Sequence, residues 1–268
     1  CPQTYSIART WKSQDDCGNF NTCTQSISVI DNLAPTITCP ANVTIQSNTS
    51  TLPPATGQPT SSDNCDATPT ITFIDVTAGG ACPQEFTITR TWKSQDDCGN
   101  FNTCVQTIVV DDSTAPVLTC PANITIQCTA STAPGGSNGT ATATDNCDLV
   151  VAITSTDVTV AGACPQAYTI NRTWRATDDC GNSSTCLQII SVIDNTPPVI
   201  TFCPPNITIQ CTASTAPGGT NGTATATDNC DLVVAITSTD VTVAGACPQE
   251  YTINRTWRAT DDCGNSST

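Results

Sequence analysis

The tripeptide Cys-Pro-Gln recurs at Cys1, Cys82, Cys164 and Cys247, and the pentapeptide Asp-Asp-Cys-Gly-Asn recurs at Asp15, Asp96, Asp178 and Asp261. The period is roughly 82 residues. A fixed period of this length means a repeat array, so the folding unit is small and is built several times over. Residues 128–185 and 211–268 differ only at Ser137 against Thr220 and Ala167 against Glu250. Such near-identity exceeds what a shared fold requires. It marks a duplication in which copy number matters more than any single copy.

Proline locates the unit boundaries. "DNLAPTITCP" (31–40), "DSTAPVLTCP" (112–121) and "DNTPPVITFCP" (194–204) each carry Pro soon after Asp. Proline is poor inside a sheet ladder and suits short, stiff linkers. Cutting there gives the C-terminal part of one unit (1–32), complete units at 33–112 and 113–194, and a unit at 195–268 that lacks its last strand. The chain begins and stops inside units and so reads as a window on a longer protein.

Within 113–194, "VLTC", "NITIQC", "TATATDNC", "LVVAITSTDVTV", "AYTINRTWRATDDC" and "STCLQIISVI" are short β-rich runs split by turn clusters such as "TAPGGSNG" and "AGACPQ". Six or seven strands in one period, with no amphipathic helical pattern, predict an all-β array of tandem Ig-like Greek-key β-sandwiches, beads on a string. Each unit has one Trp, and Trp11, Trp92, Trp174 and Trp257 are the predicted core aromatics. Trp174 shares its strand face with Ile170 and Ala176, and Arg175 lies on the other face. Arg172 and Arg175 flank Trp174 and read as strand-surface contacts. The N-x-S/T sequons, among them Asn42, Asn123, Asn171 and Asn206, follow from a Thr- and Asn-rich composition.

Composition narrows the chemistry. With no His, Ser-His-Asp and Cys-His catalysis and His-ligated zinc are excluded, and no unrepeated polar constellation points to an enzyme. A net charge of −15 argues against nucleic acid and anionic membrane as partners. No apolar run reaches the ~18 residues a membrane span needs. Nineteen Cys with no C-x2-C spacing predict disulfides rather than zinc, and hence an exported protein.

"DNTPPVITFCP", "TATDNCD" and "RTWRATDDCGNSSTCLQIISVID" resemble the hyalin-repeat (HYR) family. The near-identical tandem copies resemble the HYR-like repeats of giant cell-surface adhesins in gliding and other Bacteroidota. The resemblance implies an Ig-like sandwich and an extracellular, cell-surface, non-enzymatic role, with outer-membrane anchorage through other regions. It also implies pairing of Cys120 with Cys186, neighbours on the first and last strands, and of Cys39 with Cys104. If consecutive strands alternate in direction, Cys128 and Cys164 lie together at the bottom of their unit and pair. Cys147–Cys180 then remains at the top. The rival scheme is Cys180–Cys186 with Cys120–Cys147. By the same logic Cys65–Cys98, Cys211–Cys247 and Cys230–Cys263 form, while Cys82, which faces Ser47 in place of a cysteine, and Cys203 stay unpaired within their units. A domain of this size has a small core, and each bridge typically adds 2–4 kcal/mol.

The same strand directions gather Asp145, Asp148, Asp178 and Asp179 at the top of their unit beside the linker residues Asp111 and Asp112. In the next unit the set is Asp194 and Asn195 with Asp228, Asp231, Asp261 and Asp262. No cofactor is required, but hard cations take six to eight oxygen ligands, and Ca2+ at these junctions is an expectation. The competing expectation is ordinary turn chemistry, since Asp, Asn and Gly are turn formers. The partners expected are neighbouring repeats of the chain, identical chains in a fibre, and a surface glycan or protein ligand. The leading reading is a stalk or filament of an adhesin. The alternative is a glycan- or protein-binding module acting by avidity.

Overall fold

The computed structural model describes residues 1–268 and is nearly all β. In the 33–112 repeat β3 (Thr36–Thr38) and β5 (Thr60–Ser62) pair as one short antiparallel sheet. The second sheet holds β4 (Val43–Gln46), β8 (Phe101–Asp111), β7 (Phe86–Gln95) and β6 (Thr70–Gly79) in that order. β4 runs parallel to β8, while β8–β7 and β7–β6 are antiparallel. The 113–194 repeat copies this plan. β9 (Val117–Thr119) pairs with β11 (Thr142–Thr144), and β10 (Ile124–Gln127), β14 (Ser183–Ile193), β13 (Tyr168–Thr177) and β12 (Ala152–Ala161) form the larger sheet. The ends of the chain carry β1 (Tyr5–Gln14) and β2 (Phe20–Val29), and then β15 (Val199–Phe202), β16 (Thr225–Thr227), β17 (Ala235–Ala244), β18 (Tyr251–Thr260) and β19 (Ser266–Ser267). Each complete repeat is therefore a sandwich of six strands.

Two compact units emerge, and they do not follow the repeat boundaries. The first comprises Cys1–Pro116 with Thr144–Val151 and Thr177–Asn182; the second comprises Val117–Ala143, Ala152–Ala176 and Ser183–Thr268. In the first unit the upper turns of the 113–194 repeat belong with the repeat before them.

Alternation along β7 and β13 builds the core. Ile88, Arg90, Trp92 and Ser94 face inward, as do Ile170, Arg172, Trp174 and Ala176. One end of each core is apolar: Ile88, Ile108 and Val110 in one repeat, Ile126, Ile170, Ile190 and Val192 in the next. The other end is a polar network, complete around Arg90 and lacking a partner for the buried Nη1 of Arg172. Trp92 Nε1 donates to Gln106 Oε1 (3.2 Å), and Gln106 Nε2 donates to the carbonyls of Ala41 and Thr56 (3.0 and 2.6 Å). Arg90 makes a two-point bond to Asp75 (2.8 Å each) and reaches the Thr51 carbonyl. Arg172 does the same with Asp157 and the Thr132 carbonyl. Arg172 is thus a core residue, 2% exposed, rather than a strand-surface contact. Period-two alternation puts it on the face of Trp174, and its carboxylate partner comes from the neighbouring strand. Trp92, Trp174 and Trp257 are buried, but Trp11 is 53% exposed, because only the β1–β2 hairpin of its repeat lies within the chain and no second sheet covers it.

The disulfides depart from a repeat-by-repeat scheme. Within repeats the structure joins Cys39 to Cys104 and Cys120 to Cys186, with Cα atoms 5.8 and 5.9 Å apart. The others cross from one repeat to the next: Cys1–Cys98, Cys82–Cys180, Cys164–Cys263 and Cys128–Cys230. The expected pairs Cys128–Cys164, Cys147–Cys180, Cys65–Cys98, Cys211–Cys247 and Cys230–Cys263 are therefore replaced, and Cys82 is bonded rather than unpaired. The strand directions put Cys128 and Cys164 at the bottom of their repeat, as expected. What meets them there is the top of the following repeat, with Cys230 and Cys263. Cys17, Cys23, Cys65, Cys147, Cys203, Cys211 and Cys247 are free. Cys147 faces Ser47, whose hydroxyl touches its sulfur.

Candidate cation site at the repeat junctions

The D-D-C-G-N turn has a mechanical reading at every position. Asp178 accepts the backbone N–H of Asn182 (2.7 Å) and its side-chain amide (2.9 Å), which folds the turn on itself. Gly181 adopts φ 92°, a left-handed conformation that glycine takes without strain. Cys180 carries the bridge to Cys82. Asn182 Nδ2 also donates to the main-chain carbonyl of Asp112 in the preceding linker (2.8 Å). Asn100 and Asn265 hold the carbonyls of Asp31 and Asp194 in the same way (3.3 and 3.2 Å). The asparagine is the clamp between a repeat and the linker that enters it, and its recurrence at a constant offset from the cysteine was the available sequence signal. The second aspartate contributes its backbone: Asp179 N–H donates to Asp148 Oδ2 (2.6 Å) and Asp262 N–H to Asp231 Oδ2 (2.6 Å).

Around each clamp, aspartates use one oxygen for turn geometry and leave the other buried and unpaired. Asp112 Oδ1 accepts from Thr114 N–H (3.3 Å), and Asp145 Oδ1 accepts from the N–H groups of Cys147 and Asp148 (2.8 and 3.0 Å). Asp112 Oδ2, Asp145 Oδ2 and Asp148 Oδ1 are buried without a hydrogen-bond partner. The equivalent oxygens of Asp194, Asp228 and Asp231 are in the same condition, and so are those of Asp31 and Asp63. Ligand atoms of Asp31, Asp63 and Asp96 lie within 4.8 Å of one another, as do those of Asp112, Asp145 and Cys147. Cys128 and Cys230 lie as close to Asp194, but their sulfurs are bonded to each other and offer a metal nothing. Every ion pair in the chain joins Arg to Asp across a β-pair, in the manner of Arg90–Asp75, and none reaches these clusters.

The electrostatics follow. Burial pushes the carboxyls of Asp112 and Asp194 above the ordinary Asp value, and neighbouring carboxylates add to the shift: Asp145, Asp178 and Asp148 for the former, Asp228, Asp261 and Asp231 for the latter. Asp63 lies below its ordinary value, because the N–H groups of Asp66 and Cys65 stabilise its charge. Converging, unpaired carboxylate oxygens with no protein cation among them fit a hard divalent ion. Calcium takes six to eight oxygens, and main-chain carbonyls and water would complete the shell.

Of the residues expected from sequence, the structure gathers Asp112, Asp145, Asp148 and Asp178, and separately Asp194, Asp228, Asp231 and Asp261. Four are corrected. Asp111 ends strand β8 opposite Gln46, and the side chains of Asp179 and Asp262 are exposed while their backbones serve the turn. Asn195 accepts from Gln127 Nε2 instead of joining the cluster. Asp31, Asp63 and Asp96, which the sequence reading passes over, form a cluster of their own. Asn42 and Asn123, at sequon positions, accept the N–H groups of Thr107 and Ile189 and so hold the last strand.

No known family pattern matches the chain. It is 32% identical over 251 residues to Hyalin of Lytechinus variegatus, an alignment that takes in 86% of this chain and 45% of Hyalin. The chain thus spans less than half the length of that curated relative. Among solved structures, it aligns with protocadherin gammaB7 EC3-6 at 13% identity and TM-score 0.32, over 99% of this chain and 83% of that one. It aligns with Drosophila N-cadherin EC1-4 at 13% identity and TM-score 0.29, over 98% and 74%.

Proposed function

We propose that the chain is a non-enzymatic, load-bearing repeat region of an extracellular adhesion protein, whose junctions are stiffened by calcium. The observation that carries this reading is the set of buried, unpaired carboxylate oxygens repeated at successive junctions. A buried charge without a partner costs several kcal/mol unless a cation or proton relieves it. A feature of that cost, recurring at the same place in each repeat, is best read as a binding site. The six disulfides support an oxidising, extracellular setting. The similarity to Hyalin supports an extracellular adhesion role, and the near-identity of residues 128–185 and 211–268 supports the narrower reading of a stalk in a bacterial surface adhesin.

Titration of the 1–268 chain with Ca2+, followed by calorimetry and thermal unfolding, tests this. Binding with a rise in Tm is expected, and it is expected to be lost from one junction in Asp112→Asn and from the other in Asp194→Asn. No heat of binding and equal Tm in calcium and chelator would remove calcium from the account.

A further inference from the structure

Three of the four bridges that cross repeats share one connectivity. In each, the Cys of Cys-Pro-Gln joins the Cys of D-D-C-G-N one repeat further on: Cys1 to Cys98, Cys82 to Cys180, Cys164 to Cys263, at sequence separations of 97, 98 and 99. The Cys-Pro-Gln loop presents its sulfur from a closed turn. Gly80 N–H bonds to the Glu85 carbonyl and Gly162 N–H to that of Ala167 (2.8 Å each), and Glu85 N–H bonds to the Cys82 carbonyl (3.1 Å). The Gln of the motif completes the contact. Gln3, Gln84 and Gln166 Oε1 lie 3.6, 3.8 and 4.0 Å from the sulfurs of Cys98, Cys180 and Cys263. The Cys and the Gln of the motif are thereby both used at the junction.

Within a repeat, the two cysteines used this way sit at opposite ends of a single strand. Cys82 and Cys98 flank β7, and Cys164 and Cys180 flank β13. We propose that these strands and bridges form a continuous covalent load path that makes the array inextensible. The path runs from Cys1 across to Cys98, back along β7 to Cys82, across to Cys180, back along β13 to Cys164, and across to Cys263. Everything else in each repeat hangs beside it. Tension applied to the chain reaches β7 and β13 through covalent bonds, and both are already extended in the folded state, at about 3.3 Å per residue. Unfolding a sandwich would therefore release almost no length. The segment under load is also the one that carries the buried Arg–Trp pair, so the strand that bears tension is the strand the core holds most tightly. This deepens the reading of the chain as a load-bearing region but rests on the connectivity of the bridges, not on calcium.

Force spectroscopy on the oxidised 1–268 chain, with free thiols alkylated and tension applied at the two termini, tests the path. Roughly 37 residues and three bridges lie on it, for a contour length of about 145 Å at ~3.5 Å per residue. After reduction with excess dithiothreitol the contour length is expected to rise about sixfold, to about 900 Å. An oxidised contour length of about 180 Å or more would show that at least one cross-repeat bridge is off the load path and would overturn the proposal. A scheme confined to pairs within repeats gives about 350 Å. Either long result would leave the calcium titration, and the reading that depends on it, unaffected.

Discussion

Two junctions of the chain are built alike and closed differently. Where the 113–194 repeat meets the 195–268 repeat, Cys164–Cys263 and Cys128–Cys230 both form, with Cα atoms 5.1 and 6.0 Å apart. Where the 33–112 repeat meets the turns of the repeat after it, only Cys82–Cys180 forms, at 5.1 Å. The second position there is Ser47 against Cys147, still in contact. The backbone is the same in both: Ser47 N–H bonds to the Asp111 carbonyl and Cys128 N–H to that of Ile193, each at 3.0 Å. The docking therefore does not depend on the second sulfur bridge. The Asn clamp and the aspartate turns set the register, and the bridge locks a contact that already exists.

The largest expected effects come from exchanging the two closures. Ser47→Cys should form a bond with Cys147 on oxidation with glutathione disulfide. It should remove one thiol from a titration of the denatured chain and add about 2–4 kcal/mol. A count one thiol above that of the parent chain would mean that the two positions do not meet. In the converse variant, Cys128→Ser, Cys230 should become alkylatable and a similar amount of stability should be lost; a Cys230 that stays protected would contradict the pairing.

A middle-sized effect should separate the junctions by their clamps. Asn182→Ala and Asn265→Ala each remove the bond to a linker carbonyl, at a typical cost of about 1–2 kcal/mol. The loss should be greater for Asn182, whose junction has one bridge, than for Asn265, whose junction has two. Equal losses measured by denaturant unfolding would mean that the bridges and the clamps act independently.

The smallest effect is the pH dependence. Asp112 and Asp194 have folded pKa values above the ordinary 3.8. In metal-free protein their contribution to stability is fully present below that value and is lost as pH rises through the folded pKa. Asp157 and Asp240, lowered by hydrogen bonds from Arg172 and Arg255, work the other way. Their contribution is present above 3.8 and is lost as pH falls through the depressed value. Calcium should cancel the first trend and leave the second. Thermal melts across pH with and without calcium check this, and parallel profiles would count against the ion.

The fold was legible because it is written locally. β-Branched runs between Pro, Gly and Asx turns specify the strands, and the cysteines at strand ends reveal which end of a repeat each occupies. Arg90 and Arg172 were harder to place in the core, since a charge is buried only with a partner and Asp75 and Asp157 lie on the adjacent strand. The bridges between repeats were hidden by reasoning one repeat at a time. Cys82, left without a mate inside its own repeat, and the steady offset between Cys-Pro-Gln and D-D-C-G-N were the visible signs. At the junctions the acidic positions could be read, but not which oxygen of each carboxylate the turn would consume.

Peptide mapping of the oxidised, alkylated chain after digestion at acidic pH, which prevents exchange, addresses the central claim directly. Ala167 marks the Cys164 peptide, where Glu250 marks the otherwise similar Cys247 peptide, and Thr268 ends the peptide of Cys263. The expected result is Cys82 joined to Cys180 and Cys164 joined to Cys263. Cys164 joined to Cys128, or Cys180 to Cys147, would contradict it.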